Sequence, residues 1–326
     1  MFGIFDIALD SDMPLPELVQ AEKPGQIIFV KRGLAQAEND HTVQWFHDWP
    51  DDAGGIAISG GRVGDSYLLR FPGLVDFEIS LSERSITYIP VAGVSEESIR
   101  HLLLDQAVPR MLGQMGNLIL HASAICLPDG TGIAFLGNSG WGKSTLTASY
   151  LDTEASFVTD DCLKLDISEK CVFGIANYYG ARLFEDSAQA LFREPHFASG
   201  VAHYTNKKRV SLFHLAPASK QQVSLAALFL LNDPAQSDGN INVSITPVQG
   251  ASGLMSIIKQ TFFIDVGDKK TYAGQFAELG KMVNLGTKIY NLSYPRLHEY
   301  LPMVRRSIQE TLYSRATASA ESVSYT

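Results

Sequence analysis

Cysteine is scarce in this chain of 326 residues. The three present, Cys126, Cys162 and Cys171, show no CxxC spacing. That speaks against a disulfide framework or a cysteine zinc site and fits a reducing interior. Positive charge is also short: 26 Lys and Arg against 35 Asp and Glu leave a net charge of −9. The basic face that a general nucleic-acid binder needs is missing, although a local basic patch for phosphate is still compatible. Long apolar runs are absent. The longest, Val223 to Leu231, falls short of the roughly 18 residues of a membrane span and reads as a buried strand. The start, Met1-Phe-Gly-Ile-Phe-Asp6, has no basic region and reads poorly as a signal peptide. These absences lead us to expect a cytoplasmic protein with neither nucleic acid nor membrane as partner. Repeats are lacking too, and the small Ser/Ala/Thr-rich tail, 316–326, is expected to fray. What the chain does have is 45% hydrophobic residues, enough length and apolar content for a folded core and two modest domains.

The first 95 residues read as a β-rich lobe. Candidate strands are Gln26 to Val30, Ile56 to Ser59, Ser66 to Phe71, Asp76 to Leu81 and Ser85 to Val91. Turns are expected at Lys31-Arg-Gly33, Gly60-Gly61 and Pro72-Gly73. Ser95 then reads as an N-cap with early acids behind it, and Ile99, Leu102, Leu103, Gln106, Ala107 and Arg110 follow at helical spacing. Pro109 either kinks that helix or starts a second one. Residues 96–116 are thus a connecting helix. From Leu118 onward we expect strands and helices to alternate in an α/β domain, 117–315.

One motif stands out: Gly137-Asn138-Ser139-Gly140-Trp141-Gly142-Lys143-Ser144-Thr145 matches G-x-x-x-x-G-K-[ST] in full. Its context fits, with the apolar run Ile133 to Leu136 before it and a helix-compatible Leu146 to Tyr150 after it. Glycines let successive backbone N–H groups turn toward one anion, and the helix start adds partial positive charge. Lys143 can place a cation near the outer phosphates, and the Ser144 hydroxyl suits Mg²⁺. Nucleotide binding, most simply of ATP with Mg²⁺, follows. Trp141 is expected to pack rather than to cover the nucleotide.

Phe157-Val-Thr-Asp160-Asp161 lies on the next strand. Adjacent strand residues point to opposite faces, so the two carboxylates divide their tasks unless the backbone turns there. One can sit beside Mg²⁺; the other can accept a proton from an attacking hydroxyl. His121 sits on the preceding strand, joined to the loop strand by a hairpin turn at Pro128-Asp-Gly130. It can reach the phosphate region or serve as a core histidine.

The stretch from His121 through Leu165 resembles the HPr kinase/phosphorylase family, above all the HPr-kinase-like serine kinases found with lasso-peptide biosynthesis. The likeness rests on the histidine strand, the loop form G-[DN]-S-G-x-G-K-S, the short helix and Thr-Asp-Asp. PEP carboxykinases share that order. Leu103-Leu-Asp-Gln-Ala-Val-Pro-Arg-Met-Leu and Leu68-Leu-Arg-Phe-Pro-Gly73 also look like the kinase-like relatives. The resemblance implies an α/β fold, a P-loop kinase core of the HPr kinase C-terminal-domain type beside the β-rich lobe. It implies that Lys143 and Ser144 bind nucleotide phosphate and Mg²⁺. It also implies that Asp160 is the catalytic base, Asp161 a metal-side carboxylate and His121 an active-site residue. A homo-oligomer is compatible with it. The chain departs from HPr kinase in lacking a Glu-Ile-Arg-Gly segment. Asn177-Tyr-Tyr-Gly-Ala-Arg182-Leu-Phe stands in its place, with Arg182 the one obvious substitute. The reverse, phosphorylase reaction and HPr as substrate are therefore not carried over.

Lys207, Lys208 and Arg209 form a short basic cluster that can neutralise phosphoryl charge or lie on a solvated turn. Three functions compete. The first is a serine kinase acting on a peptide or small protein, with the C-terminal serine of a lasso-peptide precursor as the resemblance's best substrate. The others are a nucleotide-binding regulatory module and a small-molecule kinase.

Overall fold

The computed structural model describes residues 1–21, 25–34, 43–51, 54–178, 180–192, 208–210, 221–236 and 242–321. The N-terminal strands are β1 (Phe2–Ile4), β2 (Ile7–Ser11), β3 (Val19–Gln20), β4 (Ile27–Arg32), β5 (Gln44–Pro50), β6 (Ile56–Val63), β7 (Ser66–Phe71), β8 (Val75–Ser80) and β9 (Ser85–Pro90). They form one sheet in the order β3-β1-β2-β4-β9-β8-β7-β6-β5. Strand β8 shows why: Val75, Phe77 and Ile79 are buried and alternate with partly exposed Asp76, Glu78 and Ser80.

Four of these strands escape the sequence reading. β1 and β3 are too short to show alternation, β2 keeps Ile7, Ala8 and Leu9 all buried, and β5 is exposed or half-exposed along its length. Two expected turns are also corrected. β4 runs on through Lys31 and Arg32, and β6 continues across Gly60-Gly61. The glycines sit under bulky cross-strand neighbours: a Cβ on Gly60 would lie 3.0 Å from Trp49, and one on Gly61 2.7 Å from Val43. They make room within a strand instead of ending it.

The connecting segment is three pieces. Helix α1 (Glu96–Leu102) is capped by Ser95, whose hydroxyl accepts the Ser98 N–H at 3.3 Å. One π-helical turn, Leu103–Ala107, follows, and α2 (Val108–Gln114) begins with Pro109 in its first turn. Leu103, Ala107 and Val108 keep right-handed helical dihedrals and the Val108 N–H bonds the Leu103 carbonyl, so Pro109 lies within one continuous helical run and its missing N–H is accommodated just after the π-helical turn.

The second half contains β10 (Leu118–Leu120), β11 (Ala122–Cys126), β12 (Thr131–Leu136), α3 (Lys143–Ala148), β13 (Ser156–Thr159), β14 (Leu163–Ile167), β15 (Val172–Ala176), β16 (Ala181–Leu183) and α4 (Glu185–Leu191). β17 (Lys208–Val210), β18 (Gln222–Leu231), β19 (Ser244–Pro247), α5 (Gly250–Ile258), α6 (Lys269–Asn284), β20 (Lys288–Ser293) and α7 (Leu301–Glu321) complete it. Strict strand–helix alternation is not what forms. Tight turns after β11 and β14 fold those strands back as antiparallel hairpins. The result is a mixed sheet, β10-β14-β15-β18-β12-β11-β13, with β18 also pairing β20 in parallel. Its faces are both covered. Ile133 and Phe135 point to the side of α3 and α7, while Ala134 and Leu136 point to that of α5 and α6. Helix α7 reaches Glu321, so the segment expected to fray after Arg315 carries helix to that residue. Among the described residues no helix is long and apolar enough to cross a membrane.

The two halves share one core. Ile119, Cys162, Tyr178, Phe262 and Ile264 from the second half join the cluster formed by the first sheet and the connecting helices. Contact there is close: a Cβ on Gly113 of α2 would come within 1.9 Å of the Phe262 carbonyl oxygen. Alanine normally favours a helix over glycine by about 1 kcal/mol. Gly113→Ala is expected to reverse that sign and destabilise the protein by about 1–3 kcal/mol through overpacking, read as a lowered urea midpoint at unchanged slope.

Candidate active site

The glycine loop Gly137–Thr145 joins β12 to α3 and is built on positive-φ glycines, with φ of +153° at Gly137, +76° at Gly140 and +92° at Gly142. Lys143 is buried and folds back over the loop, its Nζ donating to the carbonyls of Gly137 at 2.7 Å and Asn138 at 3.1 Å. Trp141 packs half-buried against the α3/α7 side of the core. Its carbonyl accepts from Arg296 Nε at 3.0 Å, and the same guanidinium donates to the carbonyls of Tyr294 and Asn232. Arg296 thus pins the loop to the ends of β18 and β20.

Ser144 and Asp160 meet. The Ser144 hydroxyl donates to Asp160 Oδ1 at 2.8 Å, and Asp160 Oδ2 accepts the backbone N–H of Arg182 at 3.1 Å. A hydroxyl and a buried carboxylate side by side are the hard oxygen donors that Mg²⁺ prefers. Strand β13 stops at Thr159, and Asp161 takes φ +66°. This turn decides how the doublet is divided. Asp160 faces the phosphate loop, whereas Asp161 faces away from Ser144 toward other partners. Its Oδ2 accepts from Arg182 at 2.6 Å, and its Oδ1 lies 3.8 Å from His121 Nε2. His121 is positioned by the bend between β10 and β11, its N–H donating to the Gln260 carbonyl at 2.7 Å.

Arg182 is the hub. One guanidinium nitrogen contacts both Asp161 and, at 2.5 Å, Asp105; the other contacts the ring of His101. Asp105 is buried on the π-helical turn and accepts from Tyr178 Oη at 2.9 Å and from Asn177 Nδ2 at 3.4 Å. Its Oδ2 lies 2.6 Å from His101 Nδ1. Neutral His101 satisfies both neighbours if Nδ1 donates to Asp105 and Nε2 accepts from Arg182. Burial lowers the His101 pKa, and Arg182 lowers it further, against the pull of Asp105. Burial alone would raise Asp105, but Arg182 and His101 carry it below the usual carboxylate range. Burial likewise works against the Arg182 charge, and Asp105, Tyr178, Asp161 and Asp160 together more than offset it and raise its pKa.

Two cavities open on this group. One, of about 220 Å³, is lined by Gly140, Lys143, Ser144, Thr145 and Arg182 and by Arg296 and His298 opposite. The other, of about 520 Å³, lies against the N-terminal sheet and includes His121, Ser139, Asp161 and Arg182. Of the expected site residues, the structure brings together the loop Gly137–Thr145, Asp160, Asp161, His121 and Arg182. Lys207 lies outside the described residues. Lys208 and Arg209 lie on β17, whose register sets Arg209 opposite Arg182. His101, Asp105 and Arg296 escape the sequence reading. A histidine and an aspartate four apart within an apolar helical run were the available signal for the first two. Arg296, on a loop far along the chain, carries no local signal.

No family model matches the chain, and no curated protein matches it. Among solved structures, the HPr(Ser) kinase/phosphatase from Coxiella burnetii is similar over 62% of this chain and 96% of its own, at 14% identity and a TM-score of 0.34. No residue role is taken from that likeness.

Removing one partner of a buried ion pair leaves the other charge uncompensated. Asp105→Ala should therefore cost about 3–5 kcal/mol, measurable by denaturant titration. His101, with its folded pKa below its unfolded one, is neutral in the native state. Below about pH 6.5 the unfolded chain takes up the proton first, so stability falls as pH falls, by at most about 1.4 kcal/mol per unit. The decline between pH 7 and 5 should be shallower in His101→Gln than in the parent protein.

Proposed function

We propose that the protein is an ATP- and Mg²⁺-dependent kinase that phosphorylates a hydroxyl, with serine on a peptide or small protein as the favoured acceptor. The observation that carries this reading is the Ser144–Asp160 hydrogen bond at 2.8 Å, beside a lysine folded over a glycine loop. It supports placing a nucleotide's phosphates in the 220 Å³ cleft and a metal ion between Ser144 and Asp160. Mg²⁺ bound there would screen the phosphate charge.

In this reading the two aspartates take the reverse of the roles implied by the sequence resemblance. Asp160, bonded to Ser144, is the metal-side carboxylate. Asp161, facing His121 and the second cavity, is the base that accepts the hydroxyl proton. Lys143 neutralises the phosphate, and Arg182, already between the two cavities, is placed to meet developing charge on the transferred group. His121 orients Asp161.

Lys143→Ala should weaken binding of a fluorescent ATP analogue at least tenfold. Asp161→Asn should bind nucleotide normally and lose transfer by about 10²–10⁴-fold, the usual range for a general base. Asp160→Asn should instead raise the Mg²⁺ concentration needed for half-maximal nucleotide binding. If Asp161→Asn retains transfer while Asp160→Asn loses it at saturating Mg²⁺, the assignment returns to Asp160 as base. Binding without transfer to any acceptor would favour a nucleotide-dependent regulatory module.

A further inference from the structure

We infer that the 520 Å³ cavity between the N-terminal sheet and the phosphate loop is the acceptor site. Its occupant is an alcohol carried on an apolar, anion-free body. This rests on the kinase reading above and adds the site and class of the acceptor. In-line transfer needs the attacking oxygen and the leaving oxygen on opposite sides of the phosphorus. The nucleotide cleft is on one side of Arg182 and this cavity on the other, with Ser139 of the loop in its wall. Asp161 and His121 are part of its lining.

The lining sets the class. Ile56, Ile58, Phe71, Leu74, Leu102 and Phe262 form apolar walls. Among the described residues the lining acids are Asp51, Asp105 and Asp161, and the lining arginine, Arg182, is paired with Asp105 and Asp161. Arg110 stacks between Trp49 and Phe262 behind the wall. Among the described residues, a carboxylate or phosphate entering here would face more acidic than permanently cationic side chains, two of the acids, Asp105 and Asp161, at the less exposed end of the lining. A neutral or cationic alcohol would not be repelled by them. The volume is that of a small molecule or a short peptide segment. A C-terminal serine bearing its own carboxylate is accordingly a poor occupant. In the step itself, the acceptor oxygen bonds the γ-phosphorus as the bond from that phosphorus to the β–γ bridging oxygen breaks. The hydroxyl proton passes to Asp161, and ADP leaves with the bridging oxygen.

Two measurements test this on the full chain. The first uses Ala57→Cys, half-buried in the lining, in a Cys171→Ser background; the remaining cysteines are buried. The thiolate displaces methanesulfinate from a methanethiosulfonate reagent and forms a disulfide. Normalised to a small thiol, the methyl and trimethylammonium-ethyl reagents should react at least tenfold faster than the sulfonatoethyl reagent. Equal or faster reaction of the anion overturns the charge argument. The second follows ³³P transfer from ATP to three probes: a capped peptide with serine between leucine and alanine, the same sequence ending in serine with a free carboxylate, and 3-methylbutanol.

Transfer to the capped peptide or the alcohol, with at least tenfold less to the free acid, supports the inference and tells the two sources apart. Loading Ala57→Cys with the trimethylammonium group should abolish this transfer while leaving ATP-analogue affinity within twofold. Preference for the free acid, transfer persisting in the loaded protein, or bound ATP with no transfer to any probe overturns it. Failure to bind ATP at all sinks the kinase reading instead.

Discussion

A desolvated guanidinium holds the two halves of this protein in register. Arg182 has little access to water, and it is balanced by Asp105 from the connecting helices and Asp161 from the end of β13. Such a charge tolerates burial only when its counter-ions are fixed, so everything that fixes them becomes part of the site. Asp105 is fixed by Tyr178, Asn177 and His101, and the π-helical turn presents it. An α-helical continuation would have rotated it by a fraction of a turn away from Arg182. Single-turn π segments recur where a side chain must be re-aimed.

The same arginine is a partition. On one side lies a cleft floored by the glycine loop, on the other a cavity walled by the N-terminal sheet. The positive φ at Asp161 gives each member of an adjacent acid pair its own side of that partition. Neighbouring carboxylates thereby meet different partners, Ser144 for Asp160 and Arg182 for Asp161, an outcome that β alternation alone leaves open.

The glycine loop, the helix after it and the acid doublet were legible because each is written in consecutive residues with a fixed spacing. The long buried strand β18 and the N-cap at Ser95 were legible for the same reason. What was not legible depends on neighbours far along the chain. Strand β5 pairs against glycines that look like a turn, and only the aromatic rings over Gly60 and Gly61 explain them. The division of labour between Asp160 and Asp161 hangs on one backbone angle, which no residue type dictates. His101 and Asp105 had the helical spacing of a pair, but their importance arises from Arg182, 77 residues beyond Asp105. The hairpin at Pro128-Asp-Gly130 was legible from its turn residues, whereas the second hairpin, β14 to β15, was not and breaks the expected alternation of strands and helices.

The close seat of α2 against Phe262 also bears on how the polypeptide is made. The connecting helices cover the first sheet with one face, and the opposite face is sealed only when residues 260–264 arrive and bond to Ile119 and His121. During synthesis the first lobe can collapse early, yet its outer apolar stripe stays wet until most of the chain has left the ribosome. A nascent chain in that condition is a natural client for a chaperone that shields greasy helix surfaces.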